Sequence, residues 1–155
     1  MSSSYVPSPP TEAPVTIARD AFRLLALVDV STAARRVLDE LLYLSDPETG
    51  TAEISQNEMC AELGASKPTV NRGFKELREC GLAWRLGDGR YQLHPLLTGG
   101  AVSSPVMAVP EIKAVDPESF TEQRRARYAA QTANLDATGL NRPSGSIRTK
   151  ISGSR

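Results

Sequence analysis

"GASKPTVNRGFKELRECGL", residues Gly64–Leu82, decides how this chain is read. Glycine opens it, and one residue later Ser66 stands where a helix N-cap belongs. Pro68 falls in the first turn, where its missing N–H leaves no hydrogen bond unmade. Val70, Phe74 and Leu77 then repeat at i, i+4 and i+7, the spacing of one buried helix face. That assignment turns Lys67, Thr69, Asn71, Arg72, Lys75 and Arg78 outward, or to the edge of the buried face. Gly81 supplies the stop.

Upstream, "SQNEMCAELG" (residues 55–64) has Ser55 and Glu58 at capping-box spacing, a stripe of Met59, Cys60 and Leu63, and Gly64 as a left-handed end. Only Ala65 separates that glycine from Ser66. Two short helices joined so tightly must cross at a large angle, the helix-turn-helix arrangement. Downstream, in "LAWRLGDGRYQLHPLL" (residues 82–97), Leu82, Trp84 and Leu86 alternate, Gly87-Asp88-Gly89 turns, and Tyr91 and Leu93 alternate back. The pattern predicts a hairpin with Arg85 and Arg90 on its outer side. Trp84 and Tyr91 are expected as hairpin core rather than base-stacking surfaces, and Asp88 as turn chemistry. From Lys67 to Arg90 there are six basic and three acidic residues, inside a segment otherwise acidic.

Further out the signals thin. Ser31 reads as an N-cap followed by Ala34, Val37, Leu38, Leu41, Leu42 and Tyr43 at helical spacing. In "FRLLALVDV" (residues 22–30), Phe22, Leu24, Ala26, Val28 and Val30 fall at period two, which suggests a strand, with a helix as the alternative. "SDPETG" (45–50) is a loop and "AEIS" (52–55) a short strand. The Ser- and Pro-rich residues 1–14 are expected to be disordered. Residues 98–116 read as a linker. Residues 117–136 predict a helix with Ser119 and Glu122 as its capping box, a basic cluster of Arg124, Arg125 and Arg127, and a sparse stripe of Phe120, Tyr128 and Leu135. Residues 137–155 read as a flexible basic tail. The fold class expected is mainly α with a small β-hairpin (α+β), the domain spanning residues 15–97.

Composition excludes more than it names. The 18 basic and 18 acidic groups cancel, so only local charge can point to a polyanion. Residues 98–155 carry eight basic and five acidic groups. Cys60 and Cys80 sit among apolar helical neighbours and read as small hydrophobes of a reduced compartment. With His94 the only histidine, neither a metal site nor a familiar catalytic constellation assembles. No apolar run approaches the roughly 20 residues of a membrane span, and no signal peptide opens the chain. A cytoplasmic non-enzyme without metal or cofactor is expected.

"EISQNEMCAELGASKPTVNRGFKELRECGLAWRLGDGRYQLHP" (residues 53–95) resembles the winged helix-turn-helix of bacterial MarR-type regulators. Its "CGL" exit and wing ending in "YQLHP" also resemble the RepL-like plasmid replication proteins. The likeness covers residues 31–97. It departs from MarR-type proteins in one respect: residues 1–30 offer no long flanking helix for a dimer. The resemblance implies sequence-specific binding of double-stranded DNA, most simply by a transcriptional regulator. A plasmid replication initiator that binds an origin is the alternative, without the paired histidines of a nicking endonuclease, and a protein-interaction module is a third. On this reading residues 66–80 enter the major groove. Asn71 suits adenine and Arg72 guanine. Ser66, Lys67, Thr69 and Lys75 hold phosphates, with Arg78 on the same outward face, while Arg85 and Arg90 reach the backbone or minor groove. A homodimer is an expected option through residues 117–136. The sequence names no small-molecule effector and no membrane partner.

Overall fold

A computed structural model describes residue 8, residues 14–99 and residues 109–138. The expected disordered N-terminus (apart from Ser8 and Pro14), residues 100–108 of the expected linker and residues 139–155 of the expected tail lie outside these residues. The described part is mainly helical with a small antiparallel sheet, an α+β arrangement. In chain order it runs α1 (Arg19–Val28), α2 (Thr32–Leu44), β1 (Thr51–Glu53), α3 (Gln56–Leu63), α4 (Lys67–Glu79), β2 (Ala83–Gly87), β3 (Arg90–Leu93) and α5 (Glu122–Thr138). The sheet has three strands in the order β1-β3-β2, so the hairpin gains "TAE" as a third member.

Residues 22–30 correct the strand expectation. Ala21, Leu24, Leu25 and Val28 are buried on one face of α1, whereas Phe22 is 52% exposed. Leu24 and Val28 belong to both periods; the burial of Ala21 and Leu25 selects the helical one. Asp29 ends the helix in the left-handed region (φ 62°). In α2 the Ser31 hydroxyl accepts from the Ala34 N–H at 3.2 Å, and Ala34, Val37, Leu38, Leu41 and Leu42 are buried. Tyr43, expected on that stripe, is instead 61% exposed, because one further step along the helix carries it about 100° past Leu42.

The capping box of α3 forms as expected. The Glu58 N–H donates to the Ser55 hydroxyl at 3.0 Å, and the Ser55 N–H donates to the Glu58 carboxylate at 2.8 Å. Those bonds, the backbone one first, hold the Glu58 carboxyl below the usual range. Met59 is buried, while Cys60 and Leu63 are half-buried. Gly64 closes α3 at φ 58°, and Ser66 caps α4 by accepting from the Thr69 N–H. Val70, Gly73 and Leu77 form the buried face of α4, with Phe74 at its edge. A Cβ on Gly73 would stand 2.9 Å from Val37 Cγ2 and 3.0 Å from the Ala33 carbonyl, so this glycine sets how closely α2 and α4 cross.

β2 is out of phase with the expected alternation of Leu82, Trp84 and Leu86. Leu82 and Ala83 are buried, Trp84 is half-buried and Leu86 is exposed. Pairing Ala83 with Leu93 and Arg85 with Tyr91 puts those four on one face, and an irregularity between Arg85 and Gly87 breaks the alternation. The opposite face is covered near Gln92, whose buried amide donates to the carbonyls of Thr49, Gly50 and Leu93.

Residues 109–114 do not behave as the linker expected there. Ile112 is fully buried, the Lys113 N–H donates to the Cys80 carbonyl at 3.0 Å, and the His94 ring meets the Pro110 carbonyl at 3.1 Å. The Glu111 carbonyl lies 2.5 Å from where a Cβ on Gly81 would be, so Gly81 (φ 80°) both ends α4 and admits this segment. The Ser119–Glu122 capping box is not formed. Ser119 belongs to a 3₁₀ turn (Pro117–Ser119) and donates to Asp116, and Thr121 caps α5 by accepting from Arg124 N–H. α5 lies along α1, and the Leu135 side chain is outside the described residues.

Candidate nucleic-acid interface

The turn between α3 and α4 is held from both sides. The Ala65 N–H donates to the Cys60 carbonyl at 3.1 Å, and the Arg36 guanidinium donates to the Leu63 carbonyl. Glu76, on the inner side of α4, accepts from the Ser31 N–H and so ties α4 to the start of α2. With its buried face and inner edge anchored, α4 presents the rest of its surface to solvent.

Between α4 and the β2–β3 hairpin lies a cleft of about 420 Å³. Phe74 and Tyr91 stack in it, ring centroids 4.5 Å apart and planes 13° from parallel. Asn71, Lys75 and Arg78 line it from α4, and Arg85 and Trp84 from β2. No Asp or Glu is among the described residues that line it. Three cations therefore converge on the cavity, Lys75 and Arg78 without an ion-pair partner among the described residues and Arg85 paired with Asp88 at its rim. Burial pushes the Tyr91 hydroxyl above its ordinary range, and Arg85 partly offsets the shift.

Four of the nine residues singled out in the sequence thus meet at one place. The other five do not line the cleft. Ser66, Lys67, Arg72 and Arg90 are exposed, and Arg72 sits about 100° round the helix from Asn71. Thr69 is half-buried toward α2, its hydroxyl 2.9 Å from that of Ser66, so these two hydroxyls already have each other. Arg85 is engaged as well: it donates to the Gly87 carbonyl at 3.1 Å and pairs with the Asp88 carboxylate. Among the described residues, none of Lys67, Arg72, Lys75, Arg78 and Arg90 forms an ion pair.

Sequence reasoning missed the aromatic floor. Phe74 carried the signal, as the least central member of the α4 stripe, but its partner Tyr91 follows only from strand register. Ser55 and Gln56 at the start of α3 also line the cleft; the sequence pointed to Ser55 as a helix cap and gave Gln56 no role. The Arg124–Arg125–Arg127 cluster is partly spent on the fold. Arg124 pairs with Asp29 at 3.0 Å, donates to the Leu27 carbonyl and lies over the Phe120 ring at 4.2 Å.

His94 lies apart from the cleft and is fully buried. Its Nδ1 accepts from the Leu96 N–H at 3.0 Å, which leaves Nε2 protonated and donating to the Pro110 carbonyl. Burial lowers its pKa to about 4. Cys80 is buried too, its thiol pushed up to about 11 chiefly by desolvation. Neither has the exposure a ligand or nucleophile needs.

No protein-family model matches the chain, and no curated protein or solved structure matches it either. No helix among the described residues is long and apolar enough to cross a membrane.

Proposed function

We propose that the chain is a sequence-reading, double-stranded DNA-binding protein, with α3 and α4 as a helix-turn-helix and the β2–β3 hairpin as its wing. One observation carries the reading most directly: Asn71, Lys75, Arg78 and Arg85 are brought to one acid-free surface by α4 and the hairpin. Phosphate charge is matched there by Lys75 and Arg78, and by Arg85 once it leaves Asp88, which is the electrostatic requirement for holding a nucleic-acid backbone. Asn71 and Arg72 are the base-reading side chains, because an amide pairs with adenine and a guanidinium with guanine in the major groove. Lys67, Lys75 and Arg78 position the helix on phosphates, with Arg85 and Arg90 on the neighbouring backbone. The biological role that follows most simply is transcriptional regulation in the cytoplasm, and binding at a replication origin is the alternative.

Selection of a binding site from random duplexes with the full-length chain, followed by titration at several salt concentrations, tests this. A preferred site should emerge, with affinity falling steeply as salt rises. Absence of any duplex binding at low salt would leave the α4 surface as a protein-interaction face.

A further inference from the structure

Phe74 and Tyr91 pack against the core on one side, but duplex docking makes no use of the part of them that lines the cleft. Phosphates need Lys75, Arg78 and Arg85; they have no use for stacked aromatic rings. Phe74 and Tyr91 are half-buried, stacked on each other, and line the same cleft as those three cations and Trp84. Within a duplex each base has both faces covered by its neighbours, so an aromatic ring meets base faces only where a strand is unpaired. The volume, about 420 Å³, falls in the range of small-ligand sites, roughly 300–1,000 Å³. A nucleotide is of a size to enter such a space. Cations tracking a backbone beside an aromatic platform are what single-strand recognition requires, and that recognition tolerates any base because every base has a π face.

We infer that the cleft between α4 and the hairpin holds an unpaired nucleotide of single-stranded DNA, its base against the Phe74–Tyr91 pair and its phosphates on Lys75, Arg78 and Arg85. This rests on the DNA-binding reading and extends it: the protein engages sites that are melted, frayed or carry an extruded base. Arg85 must exchange Asp88 for phosphate when the strand enters.

The test uses the full-length protein and three probes at one low salt concentration: oligothymidylate, an abasic oligodeoxyribose phosphate of equal length and charge, and a blunt duplex. The chain has a single tryptophan, Trp84, and it lines the cleft, so its emission reports occupancy. Oligothymidylate should bind roughly 5- to 150-fold more tightly than the abasic chain, the span expected of one stacked base, and should alter Trp84 emission where the abasic chain does not. Tyr91→Leu should bring oligothymidylate down to the abasic level. Equal affinity of unmodified protein for the two single strands overturns the inference even if Tyr91→Leu does not fold. Duplex binding alongside that equality leaves the DNA-binding reading standing. Failure of all three probes removes both.

Discussion

At the scale of single residues, the proposed function divides the α4 surface between base reading and phosphate holding. Arg72 is exposed, does not line the cleft and forms no ion pair among the described residues. Arg72→Ala should cost about 1–3 kcal/mol at the preferred site and relax discrimination at one base position, measured against single-base variants. Lys75→Ala should instead weaken all duplexes alike and flatten the salt dependence by about 0.9 in logarithmic slope. If the two variants behave identically, α4 is not oriented on DNA as proposed. Gly73 makes the opposite kind of test, because its role is packing alone. Gly73→Ala forces a methyl against Val37 and the Ala33 carbonyl, and overpacking of this kind costs about 1–3 kcal/mol, whereas an exposed helical Gly→Ala stabilises. Thermal or urea melts decide the sign. A more stable variant would mean that α2 and α4 move apart without cost.

Among elements, the C-terminal part departs furthest from what its composition suggests. "PEIKAVDP" has only two side chains, Ile112 and Ala114, that become buried, yet they dock where α4 gives way to β2. Ile112→Ala in the full chain should cost about 2–5 kcal/mol, as a core truncation does, and a melt unchanged by it would return residues 109–116 to the linker first expected. α5 is fastened by the same segment, since the Tyr128 hydroxyl accepts from the Ala114 N–H at 2.8 Å. Local signals explain which elements were legible. Ser31, Ser55, Ser66 and Gly64 act within one turn of their own helix, so α2, α3 and α4 could be read from spacing. For α1, Leu24 and Val28 satisfy both period two and period 3.6, and only the position of the core chooses between them. The docking of Ile112 could not be read, because it depends on Gly81 leaving room for the Glu111 carbonyl about thirty positions away. The candidate site divides the same way. Asn71, Lys75 and Arg78 were legible as one helix face; the Phe74–Tyr91 stack needed the register of β3 against β2.

Across the whole molecule, His94 is where the sheet, the turn at Pro95–Leu97 and the segment at Pro110 are joined through one ring. The ring is neutral in the fold, and a second proton would fall on Nδ1, against the Leu96 N–H. Its folded pKa, about 4, lies below the ordinary value of 6.5, so the unfolded chain takes up the proton first as pH falls. Between those values the unfolded state binds more protons than the folded one, and stability must rise with pH. The contribution is fully present above pH 6.5 and is lost as pH drops toward 4, to a total of about 3 kcal/mol at 1.36 kcal/mol per pH unit. His94→Gln keeps a donor and an acceptor but cannot titrate. Urea melts of both proteins between pH 7 and 4 should show the wild type losing stability faster than His94→Gln, whatever the exposed carboxylates contribute to both. Parallel curves through that window would mean that His94 gains its second proton as readily in the fold as in the unfolded chain, and that the junction at Pro110 opens to water.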